Sequence, residues 1–193
     1  MKPIFTIALL LLIFNAYSQQ LVGTLSNTED SYQGYTIISP SSFKTSYLIN
    51  NCGELINSWE SDFFVALMAE IDTEGNLYRL SRAEDVGGFV GGGIGGQLEK
   101  FNWEGDLIWT GNFADEFHHA HHDLEILPNG NILLIQWDKI LADEVFAAGR
   151  DPLTCADDSL WPDRIIEIEV LANDDYEIVW EWRAWDHIVQ DYD

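Results

Sequence analysis

Apolar and polar residues alternate through most of the chain, and the alternation is broken at short intervals by a turn of Asn or an acid beside Gly. A period of two marks half-buried β-strands. Residues 48–59 enclose Cys52-Gly53-Glu54-Leu55-Ile56, and residues 101–109 enclose Glu104-Gly105-Asp106-Leu107-Ile108, nearly the same turn and returning strand. A second kind of hairpin recurs, around Glu74-Gly75-Asn76-Leu77 in residues 69–80 and around Asn129-Gly130-Asn131-Ile132 in residues 125–137. Gly beside Asn or an acid supplies the left-handed backbone that such turns require.

Gly53 and Gly105 stand 52 residues apart, and Gly75 and Gly130 stand 55 apart, so each repeat holds two hairpins and four strands. A four-stranded sheet cannot bury both faces alone, and repeats of this length stack as blades. The predicted fold is all-β, of four-stranded β-propeller-like blades. A third unit is read from Arg164, where Ile166, Ile168 and Val170 alternate with Glu167 and Glu169, through Tyr176 to Trp185, with its second hairpin missing. Residues 141–148 read as one short helix inserted on a loop between the second and third units, with Gly149 as its stop and Pro152 beyond.

Met1 and Lys2 precede an apolar run at 4–14, the length of a signal-peptide core and too short for a membrane span. Ala16 and Ser18 place cleavage after Ser18, so residues 1–18 are a signal peptide and the product is secreted, periplasmic or on the cell surface. Residues 19–193 then supply three to four blades at about 50 residues each. That is near or below the minimum of about four for ring closure, so the ring looks unfinished.

Thirty-three Asp and Glu against nine Lys and Arg give a formal net charge of −24, which repels nucleic acid and anionic lipid. The 47% hydrophobic content argues against a disordered acidic tail. Cys52 and Cys155 either form one long-range bridge or remain two thiols. Asp157-Asp158 and Asn173-Asp174-Asp175 are weak candidates for a hard cation, the second being equally a plain turn. Gly91, Gly93 and Gly96 formally spell GxGxxG, but a strand-like segment follows, so a flexible loop or close backbone approach is the better reading.

The densest functional groups lie in Glu116-Phe117-His118-His119-Ala120-His121-His122-Asp123, which holds four of the five histidines. On an extended chain His119 and His121 face one way, and His118 and His122 the other. Trp59, Trp109, Trp137 and Trp180 are read as packing groups between blades.

The run His121-His122-Asp123-Leu124-Glu125-Ile126-Leu127-Pro128-Asn129-Gly130-Asn131-Ile132-Leu133 resembles the histidine-bearing segment of the arylsulfotransferase family. Gly34-Tyr35-Thr36 with Ile38-Ser39-Pro40, Ala148-Gly149-Arg150-Asp151-Pro152, Trp180-Glu181-Trp182 and Trp185-Asp186-His187 are similar to segments of its exported members. The resemblance implies a six-bladed propeller that moves a sulfuryl group from a phenolic sulfate ester to an acceptor phenol through a histidine intermediate. It implies no cofactor and no required metal. The family's nucleophilic histidine comes from a later blade than these units. The site positions here are His121, His122 and Asp123, with His187 as a second candidate histidine and Arg183 as an oxyanion contact. Two other readings remain beside it. One is a non-catalytic extracellular scaffold or binding propeller. The other is a metal-dependent hydrolase built on His119, His121 and Glu116.

Overall fold

The computed structural model describes residues 24, 26–85, 87–154 and 158–189. The apolar run and cleavage point at the N-terminus, Cys155 and Asp157 lie outside them. The protein is all-β, with thirteen strands among the described residues.

Three antiparallel sheets follow one another along the chain. The first holds β1 (Tyr35–Ile38), β2 (Thr45–Asn50) and β3 (Leu55–Glu60). The second holds β4 (Val65–Ile71), β5 (Leu77–Arg82), β6 (Gly96–Phe101) and β7 (Leu107–Asn112) in chain order. The third holds β8 (His118–Ile126), β9 (Ile132–Asp138), β12 (Asp163–Val170) and β13 (Tyr176–Arg183). Between β9 and β12 come a two-residue ribbon, β10 (Ile140–Leu141) with β11 (Ser159–Leu160), and helix α1 (Ala142–Ala147).

The four predicted hairpins form, and their glycines, Gly53, Gly75, Gly105 and Gly130, all have positive φ. The grouping of the last hairpin differs from expectation. Residues 164–185 do not open a third unit, because β12 pairs with β9 from Asp163↔Trp137 to Ile168↔Ile132 and completes the sheet begun by β8 and β9. The helix therefore sits inside the third sheet's connection and not between units. The apolar residues on both strands form one cross-strand ladder, and that outweighs the intervening insertion.

Burial separates the sheets. In β5 the first five residues are buried, so the middle sheet is covered on both faces. In β9 buried and half-buried residues alternate strictly, and in β2 Ser46 and Leu48 are buried between half-buried neighbours, so each flanking sheet is covered on one face. One core cluster joins the first two sheets through Leu48, Trp59, Leu77 and Phe101. The larger cluster sets Tyr78, Leu80, Leu98 and Trp109 against Leu124, Ile132, Leu134, Ile166 and Ile168. Each such aliphatic side chain contributes about 1.5–3 kcal/mol on burial.

Tryptophans close both junctions. Trp59 Nε1 donates to the Asn102 carbonyl at 2.8 Å, and Trp109 Nε1 donates to the Asp175 carbonyl at 3.0 Å, each reaching the outer hairpin turn of the following sheet. Asn173 and Asp174 take positive φ in that second turn, and Asp174 Oδ1 accepts the Thr110 N–H. The Asn-Asp-Asp run is thus a turn that also ties two sheets together.

Candidate functional site

Strand β8 carries the histidines along the edge of the third sheet. His118 pairs with Asp138 and His119 with Trp137, then the register shifts between Ala120 and Leu124. At that irregularity His122 has φ of 58°, which turns its side chain out of the alternation. His119 and His121 are buried on one side, as the alternation predicts, whereas His122 does not join His118 on the other. Its Nδ1 lies 2.9 Å from Nδ1 of His121.

The glycine-rich segment makes this possible. Ile94 bridges to His121, the His122 N–H donates to the Gly93 carbonyl, and the Gly95 N–H donates to the Ala120 carbonyl. Gly93 has φ of 76°, and a Cβ there would stand 2.5 Å from the His122 ring. Close backbone approach is therefore what the glycines serve. No helix follows them to receive a phosphate.

His121 is held on three sides. Its ring stacks on Trp137 at 4.3 Å between centroids, its Nδ1 meets His122, and its Nε2 lies 3.3 Å from Asp163 Oδ1. The last contact is off the hydrogen-bonding direction and acts through charge. Burial pushes the His121 pKa down, the Asp163 carboxylate opposes this, and His122 adds to the lowering. The net direction is downward, so the imidazole is neutral at neutral pH. His119 is fully buried, and among the described residues neither ring nitrogen meets a hydrogen-bond partner in good geometry. Burial lowers its pKa as well, and the Gly95 backbone and the Asp115 charge offset only part of this. Phe89, Trp137 and Trp161 complete an aromatic wall, with Phe89 4.8 Å from Trp161 and 5.5 Å from His119.

The remaining candidates lie elsewhere. Asp123 is exposed, and its Oδ1 accepts the N–H of Leu124, a local bond that leaves it out of the histidine pair. Arg183 Nε donates to Asp138 Oδ2 at 2.7 Å, and this bond raises its pKa. Asp138 also stands 3.7 Å from His118 Nε2, while His118 Nδ1 meets Asp115 at 3.2 Å. Arg183 thus belongs with His118, and its charge is already matched. His187 stacks on Trp182 at 5.1 Å in the turn after β13. Helix α1 and the loop beyond it hold Arg150, whose guanidinium donates to the Thr154 carbonyl.

Asp163, Phe89 and Trp161 are the members that sequence reasoning did not find. Asp163 reaches the site only because β12 pairs with β9, which sets it opposite Trp137. Among the described residues no group of three His, Cys, Asp or Glu side chains is placed to hold a metal ion, and Glu116, His119 and His121 do not come together as one. A cleft of about 610 Å³ lies away from the histidines, between Glu70, Tyr78, Lys100 and Ile126. No helix among the described residues is long and apolar enough to cross a membrane. No protein-family model matches the chain, and no curated protein matches it.

Proposed function

We propose that the three sheets are successive blades of an exported propeller and that His121 and His122 serve sulfuryl transfer from a phenolic sulfate ester to a phenol. The observation that carries this is the pair of imidazoles in Nδ1-to-Nδ1 contact, with a carboxylate beside the inner ring. When both rings are neutral, one Nδ1 donates and the other accepts. The charge of Asp163 favours the proton on His121 Nε2, which leaves His121 Nδ1 as the acceptor. His122 Nδ1 then donates, which leaves the lone pair of this exposed residue on Nε2.

That lone pair suits a phenol. As the acceptor oxygen forms its bond to sulfur, His122 Nε2 takes the phenolic proton, and in the reverse sense it returns the proton to a departing phenolate. The S–O bond to the first phenolate breaks as a histidine nitrogen bonds to sulfur, and that N–S bond breaks as the acceptor oxygen forms the new S–O ester. Trp137, beneath His121, holds the pair in place and excludes water from its inner side.

The test is acceptor-dependent release of a coloured phenol from its sulfate ester by the purified protein, compared with His122→Ala and with circular dichroism as the check on folding. A loss of about 10²–10⁴-fold is expected. Unchanged release in the variant would remove His122 from the reaction. If the folded protein releases no phenol at all, the sheets are a binding module instead.

A further inference from the structure

The cleft of about 610 Å³ between the second and third sheets is within the size range of small-molecule sites. Ile126 and Val170 stand on one wall, packed against the core that the two sheets share. On the other wall runs the cross-strand row Glu70–Tyr78–Lys100 of β4, β5 and β6. Cross-strand partners share a face, so a carboxylate, a phenol and an ammonium project on one side, with the outer two backbones roughly 10 Å apart.

All three side chains have bonding capacity left. Tyr78 is 4% exposed, and its hydroxyl has no hydrogen-bond partner among the described residues. That hydroxyl is not sealed from solvent, so it opens on the cleft that Tyr78 lines. Lys100 Nζ stands 4.8 Å from the centre of the Tyr78 ring and 3.9 Å from Asp72 Oδ2, beyond hydrogen-bond length. Asp72 is itself committed to its turn, where it accepts the backbone N–H groups of Glu74 and Asn76 and the Asn76 side-chain amide. Glu70 Oε2 accepts the Ile126 N–H at 3.1 Å, and the other carboxylate oxygen has no partner among the described residues. Burial pushes the Glu70 pKa up, the Ile126 N–H opposes this, and the charges of Glu125 and Asp123 add to the rise. A cation at the free oxygen relieves that repulsion.

These groups decide the chemistry of the occupant. A simple cation meets Lys100, and a simple anion meets Glu70 and a chain of net charge −24. Water satisfies each polar group singly but leaves the apolar wall of Ile126, Pro128 and Val170 wet. A passing stretch of polypeptide brings only neutral amides to the two charges unless it carries an acid and a base of its own. We propose that the cleft binds a compact zwitterion with an apolar body, either an apolar α-amino acid or the dipeptide built from it. Its ammonium donates to Glu70, its carboxylate accepts from Lys100 Nζ and the Tyr78 hydroxyl, and its apolar side chain lies against Ile126 and Val170. This goes beyond sulfuryl transfer and is independent of it, so binding reports the one and phenol release the other.

Calorimetric titration of the purified protein with L-leucine and with leucyl-leucine tests the proposal. At least one of the two is expected to bind with a Kd below about 10 mM, and the tighter one shows which length the cleft takes. Leucine methyl ester keeps only the ammonium and N-acetyl-leucine only the carboxylate, and each is expected to bind about tenfold or more weakly than leucine. The analogues test both charges on the wild-type protein, whatever substitution does to folding. Glu70→Gln and Lys100→Met are each expected to weaken binding by about tenfold or more, and Tyr78→Phe, which keeps the buried ring, by up to about tenfold. Circular dichroism checks that the variants fold. No binding of either zwitterion to the folded wild type overturns the proposal. So does an analogue that binds as tightly as the zwitterion, or folded Glu70→Gln and Lys100→Met proteins that bind it unchanged.

Discussion

The indole N–H of Trp109 donates to the carbonyl of Asp175, 66 residues further along the chain, and so fixes the second sheet to the turn of the third. The ring itself is buried in the core between those sheets. The contact therefore combines apolar burial with a satisfied polar handle, and the two contributions can be separated by substitution.

Trp109→Phe keeps most of the ring and leaves the Asp175 carbonyl without its donor. The expected cost is about 1 kcal/mol from the hydrogen bond alone. Trp109→Ala also empties the space, and the expected cost rises to about 3–5 kcal/mol. Urea denaturation of the two variants checks both figures. A Trp109→Phe variant as stable as wild type would show that the indole N–H contributes nothing.

Arg79 and Glu99 form an ion pair of 3.2 Å, fully buried in the middle sheet. Arg79 also donates to the carbonyls of Lys44 and Phe63, and Glu99 accepts from the hydroxyls of Ser61 and Ser81. Burial lowers the Arg79 pKa while Glu99 opposes the shift. Arg79→Met strands a buried carboxylate, with an expected cost of about 3–5 kcal/mol, and Glu99→Leu added to it recovers part of the loss. A double-mutant cycle in denaturant measures the coupling, and strictly additive losses would argue against a functional pair.

The repeat was legible because its turns are chemical: Gly beside Asn or an acid at Gly53, Gly75, Gly105 and Gly130 marks a backbone that other residues adopt poorly. Sheet membership was not legible, since pairing of β12 with β9 across the helical insertion is set by tertiary contact. The same reason hid Asp163, which register alone carries to His121. Alternation placed His119 and His121 on one side but failed at His122, where the positive φ overrides the period of two. Trp59 and Trp109 pack between sheets as expected, but Trp137 lies under the His121 ring and Trp180 is half exposed.

His119 links stability to pH. Its folded pKa is held below the ordinary value of 6.5 by burial, so between the two values the unfolded chain binds more protons than the folded one. Stability is therefore full above about pH 6.5 and falls as pH drops toward the folded pKa. His121 shifts in the same direction and adds to the slope. Denaturation midpoints measured across that window are expected to fall toward acid, and His119→Phe is expected to flatten the curve. An unaltered slope in the variant would assign the effect to other groups.

Gly93 tests whether the histidine pair depends on the backbone beneath it. An Ala there meets two obstacles: a φ of 76° that a side chain rarely adopts, and a Cβ 2.5 Å from the His122 ring. Strain of this kind costs about 1–3 kcal/mol, and the ring can move only by leaving His121. The neighbouring Gly92 has nothing within 4 Å of the corresponding position, so Gly92→Ala controls for a general effect on the loop. Nitrogen-15 spectra of the imidazoles are expected to show the His121–His122 contact in wild type and in Gly92→Ala, and to lose it in Gly93→Ala. If His122 supplies the base, phenol release falls with that contact, in Gly93→Ala as in His122→Ala. If Gly93→Ala keeps full activity while the contact is lost, the pairing of the two rings is structural and His122 acts without it.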